Sequence, residues 1–486
     1  MNPNLRRLAA LAFFVAAAGS ALAAAARRPN FVFVYTDDQR YDAMSVVQRE
    51  QGEKGRFPWF KTPAMDRLAA EGMRFRNAFV TLSLCAPSRA AYLTGRYNHA
   101  NGVPNNRTPF PVDNVTHATL LRGAGYATAY VGKWHMGGQT GQRPGFDYSA
   151  SFIGQGRYVD CPFEIDGKLT PTKGWVDDVS TDYAIEFMKQ HRDKPFSVVL
   201  GFKSCHGPFD PPERAKDRFA GAEARPVPNL GLRPPYRPAA EGTATNKGTA
   251  LVEGEGGRPK LNLGYFRCVS AADDNLGRVL QALDELGLAE DTVVVFTSDN
   301  GYYHGEHSLG DKRSAYEEAL RIPLLLRYPR LVAKGKIADE MVLNVDIAPT
   351  FLALAGITPP TTMHGRSWQP LLAGTRTEWR KAFFYEYFLE QQFPTTPTLF
   401  AVRTERAKLI KYPGHDDWME LFDLQSDPYE TKNLAREPAH KALLTEMMAT
   451  FDREAKAVGF NPAAYVEPPA EAAAEAGAAK KKKKAK

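Results

Sequence analysis

Phe31-Val32-Phe33-Val34-Tyr35 runs straight into Thr36-Asp37-Asp38, and Val293-Val294-Val295-Phe296 runs into Thr297-Ser298-Asp299-Asn300-Gly301. Both stretches are apolar without interruption rather than alternating, the pattern of strands covered on both faces. Ala127 to Val131 and Phe196 to Phe202 read the same way. Helical stretches lie between them: Pro63 to Glu71, and Tyr265 to Leu286 with Val269, Leu276, Val279, Leu280 and Leu283 at helical spacing. Strand–helix alternation predicts an α/β fold with a largely parallel sheet flanked by helices. Asp273 and Asp274, on the long helix, are expected on a solvated face.

Open sheets of this kind bind ligands beyond the carboxyl ends of their strands. If the two quoted strands are neighbours, Asp37, Asp38, Asp299 and Asn300 converge. Three carboxylates crowded together repel unless a cation neutralises them. An all-oxygen donor set suits Ca²⁺, or Mg²⁺, rather than zinc.

The chain has 486 residues, 43% hydrophobic and 24% charged, so it can build a large core. Its formal net charge of +7 includes Arg6 and Arg7 near the start and Lys480 to Lys484 and Lys486 at the end. Without them the body is near neutral, which argues against nucleic acid as a partner. Residues 1–26 read as a signal peptide: a basic start, a short apolar core from Leu8 to Ala18, and small residues to Ala26. An exported, periplasmic or secreted protein is expected, with cleavage between Ala23 and Arg27. No later segment is long and apolar enough to be a transmembrane span. Residues 27–375 form the predicted main domain. Residues 376–465 form a small α+β unit, with strands expected over Ala382 to Phe388, Phe400 to Tyr412 and Met419 to Asp423 and a helix over His440 to Ala457. Residues 466–486 read as a disordered Ala/Glu/Lys tail. The stretch from Pro211 to Lys260 is expected to be a long loop.

Leu84-Cys85-Ala86-Pro87-Ser88-Arg89 places a cysteine just before a predicted helix that ends near Gly95. That position favours anions and is expected to lower a thiol pKa. Four cysteines occur without C-x-x-C spacing, which argues against a zinc ribbon. If Cys85 is used chemically, Cys161, Cys205 and Cys268 can form at most one disulfide. In Gly132-Lys133-Trp134-His135, extended backbone would put Lys133 and His135 on one face. His206 follows the strand over Phe196 to Phe202, and Lys312 lies in Asp311-Lys312-Arg313.

The run C-x-P-S-R followed by A-x-L-T-G-R (Cys85 to Arg96) resembles the signature of the formylglycine-dependent sulfatases, and Gly132 to Gly137 is similar to their second signature. The resemblance extends from about Arg28 to Ala435. It implies an alkaline-phosphatase-like fold. It also implies that Cys85 is oxidised to formylglycine by a formylglycine-generating enzyme and joins Asp37, Asp38, Asp299 and Asn300 around the metal. Arg89, Lys133 and Lys312 would bind sulfate, His206 would protonate the departing alcohol, and His135 would accept a proton as the cycle closes. The implied substrate is a sulfate ester, and the Gly301 to Glu318 region is similar to sulfatases of sulfated sugars, glucosamine-6-sulfatases among them. Tyr158, His304, His307 and Arg313 are the candidate sugar contacts. The alternatives are a phosphonate or phosphate ester hydrolase of the same superfamily and a catalytically silent glycan-binding homologue.

Overall fold

Thr36 lies opposite Ser298 in a parallel ladder, so the two aspartate-bearing strand ends meet side by side. The computed structural model describes residues 28–237, 251–253, 259–375 and 377–465. The expected leader and tail lie outside the described residues, as does most of the stretch from 238 to 258. In chain order the strands are β1 (Asn30–Thr36), β2 (Met73–Phe79), β3 (Ala127–Lys133), β4 (Tyr148–Phe152), β5 (Phe163–Ile165), β6 (Lys168–Thr170), β7 (Phe196–Gly201), β8 (Leu251–Glu253), β9 (Pro259–Leu261), β10 (Thr292–Ser298), β11 (Leu324–Arg327), β12 (Lys336–Leu343), β13 (Ala382–Tyr387), β14 (Leu399–Thr404), β15 (Ala407–Lys411) and β16 (Glu420–Asp423). The main sheet has ten strands in the order β12-β2-β11-β10-β1-β7-β3-β4-β5-β6. Its centre, β10 to β4, is parallel throughout, and the antiparallel pairings lie outside it.

The uninterrupted apolar strands are explained by the layers above and below. Val32 and Val34 of β1 face a core shared with helices α1 (Ser45–Gln51), α2 (Pro63–Glu71), α5 (Val176–Gln190) and α6 (Leu263–Glu285). Phe31, Phe33 and Tyr35 face the opposite core, against α3 (Cys85–Thr94), α4 (His117–Gly123) and α7 (Ile347–Leu354). An apolar residue is therefore required at every position of the strand. A four-stranded antiparallel sheet, β13-β14-β15-β16, packs with α8 (Lys441–Ala457) as the small C-terminal unit. Its core continues into Leu82, Leu84, Tyr303 and Tyr316 of the main domain, so the two units share one apolar cluster.

Two local expectations need correction. Phe400 to Tyr412 is a hairpin rather than one strand: β14 and β15 pair through a turn at Glu405 and Arg406. Asp273 is not on a solvated face. It is 1% exposed, and its carboxylate accepts the backbone N–H groups of Ala64 (3.0 Å) and Met65 (2.8 Å) at the start of α2. Helical spacing places a residue on a stripe but cannot show that another helix end lies across from it. All four cysteines are free and buried.

Asp273→Ala should destabilise the fold by about 1–2 kcal/mol, since two buried N–H groups lose their acceptor. Urea unfolding checks this, and Asn at 273, which keeps one acceptor oxygen, should recover part of the loss.

Candidate functional site

Four adjacent parallel strands end at one place. β10 delivers Asp299 and Asn300, β1 delivers Asp37 and Asp38, the loop after β7 delivers His206, and β3 delivers Lys133 and His135. The β1 end is locked to the β7 loop by backbone bonds from Asp37 N to Ser204 O and from Cys205 N to Asp37 O, both 2.7 Å. Gly132 fits this junction because its φ is +90° and a Cβ would fall 2.1 Å from the Gly201 carbonyl oxygen. Lys133 and His135 do reach the same centre, but not by strand alternation. His135 has φ +52°, so the chain has already left the extended conformation.

Helix α3 supplies Cys85 and Arg89 from the face across the strand ends. Cys85 is its first residue, and the helix stops at Gly95, which is left-handed at φ 65°. The Arg89 guanidinium binds Asp299 Oδ2 through Nε (2.9 Å) and Nη2 (2.8 Å), lies 3.1 Å from Asp37 Oδ2, and also donates to the Lys133 carbonyl. Lys133 Nζ binds Asp37 Oδ2 and Gln155 Oε1 (2.6 Å). Lys312 Nζ is 2.9 Å from Asp38. Cys85 Sγ is 3.3 Å from Asp37 Oδ1, and His206 Nε2 is 3.9 Å from Asp38 Oδ2. Three carboxylates thus face three cations, all buried.

The electrostatics follow from this crowding. Burial opposes ionisation of Asp37, but ion pairing with Lys133 and Arg89 outweighs it and holds its carboxyl well below the usual range. Asp299 is pushed up to about 7 by burial and by repulsion from Asp37. The Cys85 thiol is pushed up by burial and by Asp37, against the expectation that its helix position would lower it. The unmodified thiol is therefore not a ready nucleophile. Burial and then Lys133 push both His135 and His206 well below the usual imidazole range.

Oxygen atoms of Asp37, Asp38 and Asp299 lie within 4.8 Å of one another. Asn300 donates through Nδ2 to Asp38 Oδ1 (2.7 Å), and its own amide oxygen, Asn300 Oδ1, is buried with no hydrogen-bond partner. An unpaired amide oxygen beside mutually repelling carboxylates fits a hard divalent cation. Cys85 and His206 also form a cluster with Asp37.

The four candidate sugar contacts are all buried among partners within the protein. Tyr158 is 3% exposed, stacks on Trp175 and donates its hydroxyl to the His206 carbonyl (2.6 Å), so it positions the His206 loop. His304 is packed among Tyr265, Phe266 and Phe57. His307 stacks on Tyr316 and meets Asn229 at 3.1 Å. Arg313 is bound by Glu390 (2.7 Å) and Asp311 (3.1 Å). All four are buried, and residue type in a motif region could not show that.

Other residues that hold the site carry no local signature. Asp177, on α5, accepts from Lys203 N (2.7 Å) and Ser204 N (3.0 Å) and so fixes the His206 loop. Asn106 accepts from Ala86 N (2.9 Å), beside Cys85. Gln155 and Lys203 are linked through the Gln155 carbonyl (3.0 Å). These contacts join loops far apart in sequence, and no spacing rule reports them.

The family model for Sulfatase matches residues 29–357, and that for N-sulphoglucosamine sulphohydrolase, C-terminal, matches residues 305–457. The chain is 30% identical to an N-acetylglucosamine-6-O-sulfatase of Bacteroides thetaiotaomicron, with 94% of this chain and 91% of the relative covered. It is 29% identical to an ulvan-active sulfatase of Formosa agariphila, over 89% of this chain and 82% of that one. A solved structure in complex with its substrate, D-glucosamine-2-N,6-O-disulfate, superposes with a TM-score of 0.79 at 30% identity, covering 90% of this chain and 99% of that one.

Metal-stripped protein should bind one equivalent of a divalent cation by titration calorimetry. Asp299→Ala should weaken that binding by about 100-fold or more, because one charged donor is lost. Equal affinity in wild type and variant would remove this cluster as the site.

Proposed function

The chain belongs to the sulfatase family, and from that premise we propose that it is an exported enzyme removing sulfate esters from sulfated sugars, with 6-sulfated glucosamine as the preferred unit. The observation that carries this reading is the meeting of Cys85, Arg89, Lys133, His206 and Lys312 around the Asp37, Asp38 and Asp299 cluster. The similarity to an N-acetylglucosamine-6-O-sulfatase supports the choice of sugar. No helix among the described residues is long and apolar enough to cross a membrane.

Residue 85 is proposed to be formylglycine in the working enzyme, made from Cys85 by a formylglycine-generating enzyme. As its hydrate it would supply one hydroxyl to attack sulfur as the sulfur–alcohol bond breaks, and a second whose deprotonation would expel sulfate from carbon and restore the aldehyde. Asp37, Asp38, Asp299 and Asn300, with residue 85, would hold the metal, Ca²⁺ before Mg²⁺ on the all-oxygen donor set, which supplies charge stabilisation to a sulfate oxygen. This chain's own groups do the rest. Arg89, Lys133 and Lys312 place fixed positive charge where sulfate oxygens gain negative charge, in a site shielded from water. His206 Nδ1 donates to the Gly207 carbonyl at 2.9 Å, which leaves Nε2 toward the site. Nε2 would give its proton to the departing alcohol from the imidazolium, a form that the negative charge of the bound sulfate ester favours. His135, whose Nδ1 is buried without a hydrogen-bond partner and which lies near Lys133, would accept a proton as the cycle closes.

The deciding experiment measures sulfate release across a panel of sulfated monosaccharides and disaccharides, with phosphonate and phosphate esters alongside. Release from a 6-sulfated glucosamine in preference to the others is expected. Faster hydrolysis of the phosphonates would reassign the enzyme, and no hydrolysis of anything by formylglycine-bearing protein would leave a glycan-binding homologue. Mass spectrometry of the peptide around residue 85 should show the aldehyde in active protein, and Cys85→Ala should lose at least about 1,000-fold in rate. Full activity with an unmodified thiol would overturn this part of the reading.

His206→Ala should cost about 100- to 10,000-fold on sugar sulfates, whose alcohol must be protonated as it leaves. Activated aryl sulfates should lose far less, because their leaving oxygen is already acidic. Equal losses on both classes would refute the assignment.

A further inference from the structure

Among the described residues, one phenylalanine, tyrosine or tryptophan is exposed: Phe393, at 42%. It lies between β13 and β14, in a loop of the C-terminal unit, where Phe393 N bonds the Glu390 carbonyl (2.7 Å) and Thr396 N bonds the Phe393 carbonyl (3.2 Å). One face of its ring is taken by the Arg313 guanidinium, 3.4 Å from the centroid. That guanidinium is held by Glu390 at 2.7 Å and by Asp311 at 3.1 Å, so the ring rests on a fixed, charge-balanced base.

The loop is tied to the catalytic centre on two sides. Arg313 adjoins Lys312, whose ammonium is 2.9 Å from Asp38. Glu390, 4% exposed, accepts from Asn106 N at 3.5 Å, and Asn106 in turn accepts from Ala86 N, the residue after Cys85, at 2.9 Å. Arg313 itself is 5% exposed, and the exposed residues here are Gln391 to Thr395, of which Phe393 is the aromatic one.

We propose that Phe393 is a specificity-determining residue, the platform on which the pyranose ring of the sulfated sugar stacks. The C–H face of a pyranose is apolar with slightly positive hydrogens, and it complements the electron-rich face of an aromatic ring. The hydroxyls of the sugar stay in water. A platform already ordered by Arg313 costs little entropy on binding. Sulfate is then gripped by the buried cations, and the sugar is selected by a residue contributed from the other structural unit. The proposal rests on the sugar-sulfatase reading.

The test compares wild type, Phe393→Ala and Phe393→Tyr, each with formylglycine occupancy matched by mass spectrometry. Two quantities are measured: KM for a 6-sulfated glucosamine, and inhibition of that reaction by inorganic sulfate. Phe393→Ala should raise KM about three- to tenfold with sulfate inhibition unchanged, and Phe393→Tyr should restore the wild-type KM. An unchanged KM in the alanine variant would overturn the proposal. So would a parallel weakening of sulfate inhibition, which would make Phe393 a support for Arg313 and Lys312 instead. Wild-type protein that hydrolyses aryl sulfate but no sugar sulfate would instead defeat the sugar reading beneath it.

Discussion

Asp37, Asp38 and Asp299 can be buried together only because Arg89, Lys133 and Lys312 are buried with them. Isolated charges of either sign would be prohibitively costly in such an interior. Removing one partner from a buried pair is strongly destabilising, because the other is left uncompensated. This balance dictates much of the architecture. Arg89 must come from a helix laid across the strand ends, Lys133 from a strand two places away from β1, and Lys312 from the chain after β10. The sheet order β10-β1-β7-β3 brings these segments together.

The same arrangement explains why the centre suits an anionic ester. The three cations are fixed by carboxylates and can meet further negative charge without reorganising, the condition under which electrostatic stabilisation is largest. A divalent ion shared among Asp37, Asp38, Asp299 and Asn300 would take over the carboxylates and leave the cations directed at the substrate. The supports are themselves buried and polar. Asp177 fixes the backbone of Lys203 and Ser204, Tyr158 fixes the His206 carbonyl, and Asn106 fixes Ala86. Each holds backbone next to a reacting group, which is how a site is kept within the tolerance that proximity effects demand.

Recognition of the sugar depends on a different layer. Tyr158, His304, His307 and Arg313, the candidate sugar contacts, are buried and packed or ion-paired within the protein. Among the described residues the exposed aromatic side chain, Phe393, lies in a loop of the C-terminal unit, which joins the main domain through a shared apolar cluster. With Phe393 as the proposed platform, chemistry and selectivity would reside on different units, so that selectivity could vary while the charge balance stays fixed.

The amino-acid sequence by itself determined the strands over Phe31 to Tyr35, Ala127 to Val131, Phe196 to Phe202 and Val293 to Thr297, the helix Pro63–Glu71, the carboxylate set after β1 and β10, and the family signature around Cys85. These are local properties: uninterrupted apolar runs report burial on two faces, and a motif reports chemistry within a few residues. Tertiary structure decided the rest. It turned the apparent strand Phe400 to Tyr412 into a hairpin, and it made Asp273 a cap for a helix more than 200 residues away. It raised the Cys85 thiol pKa where the helix position alone argued for lowering, because burial and Asp37 push it up. It also buried four polar candidates and exposed Phe393. Each of these outcomes depends on desolvation and on partners brought from distant segments, and both are set by the packed fold.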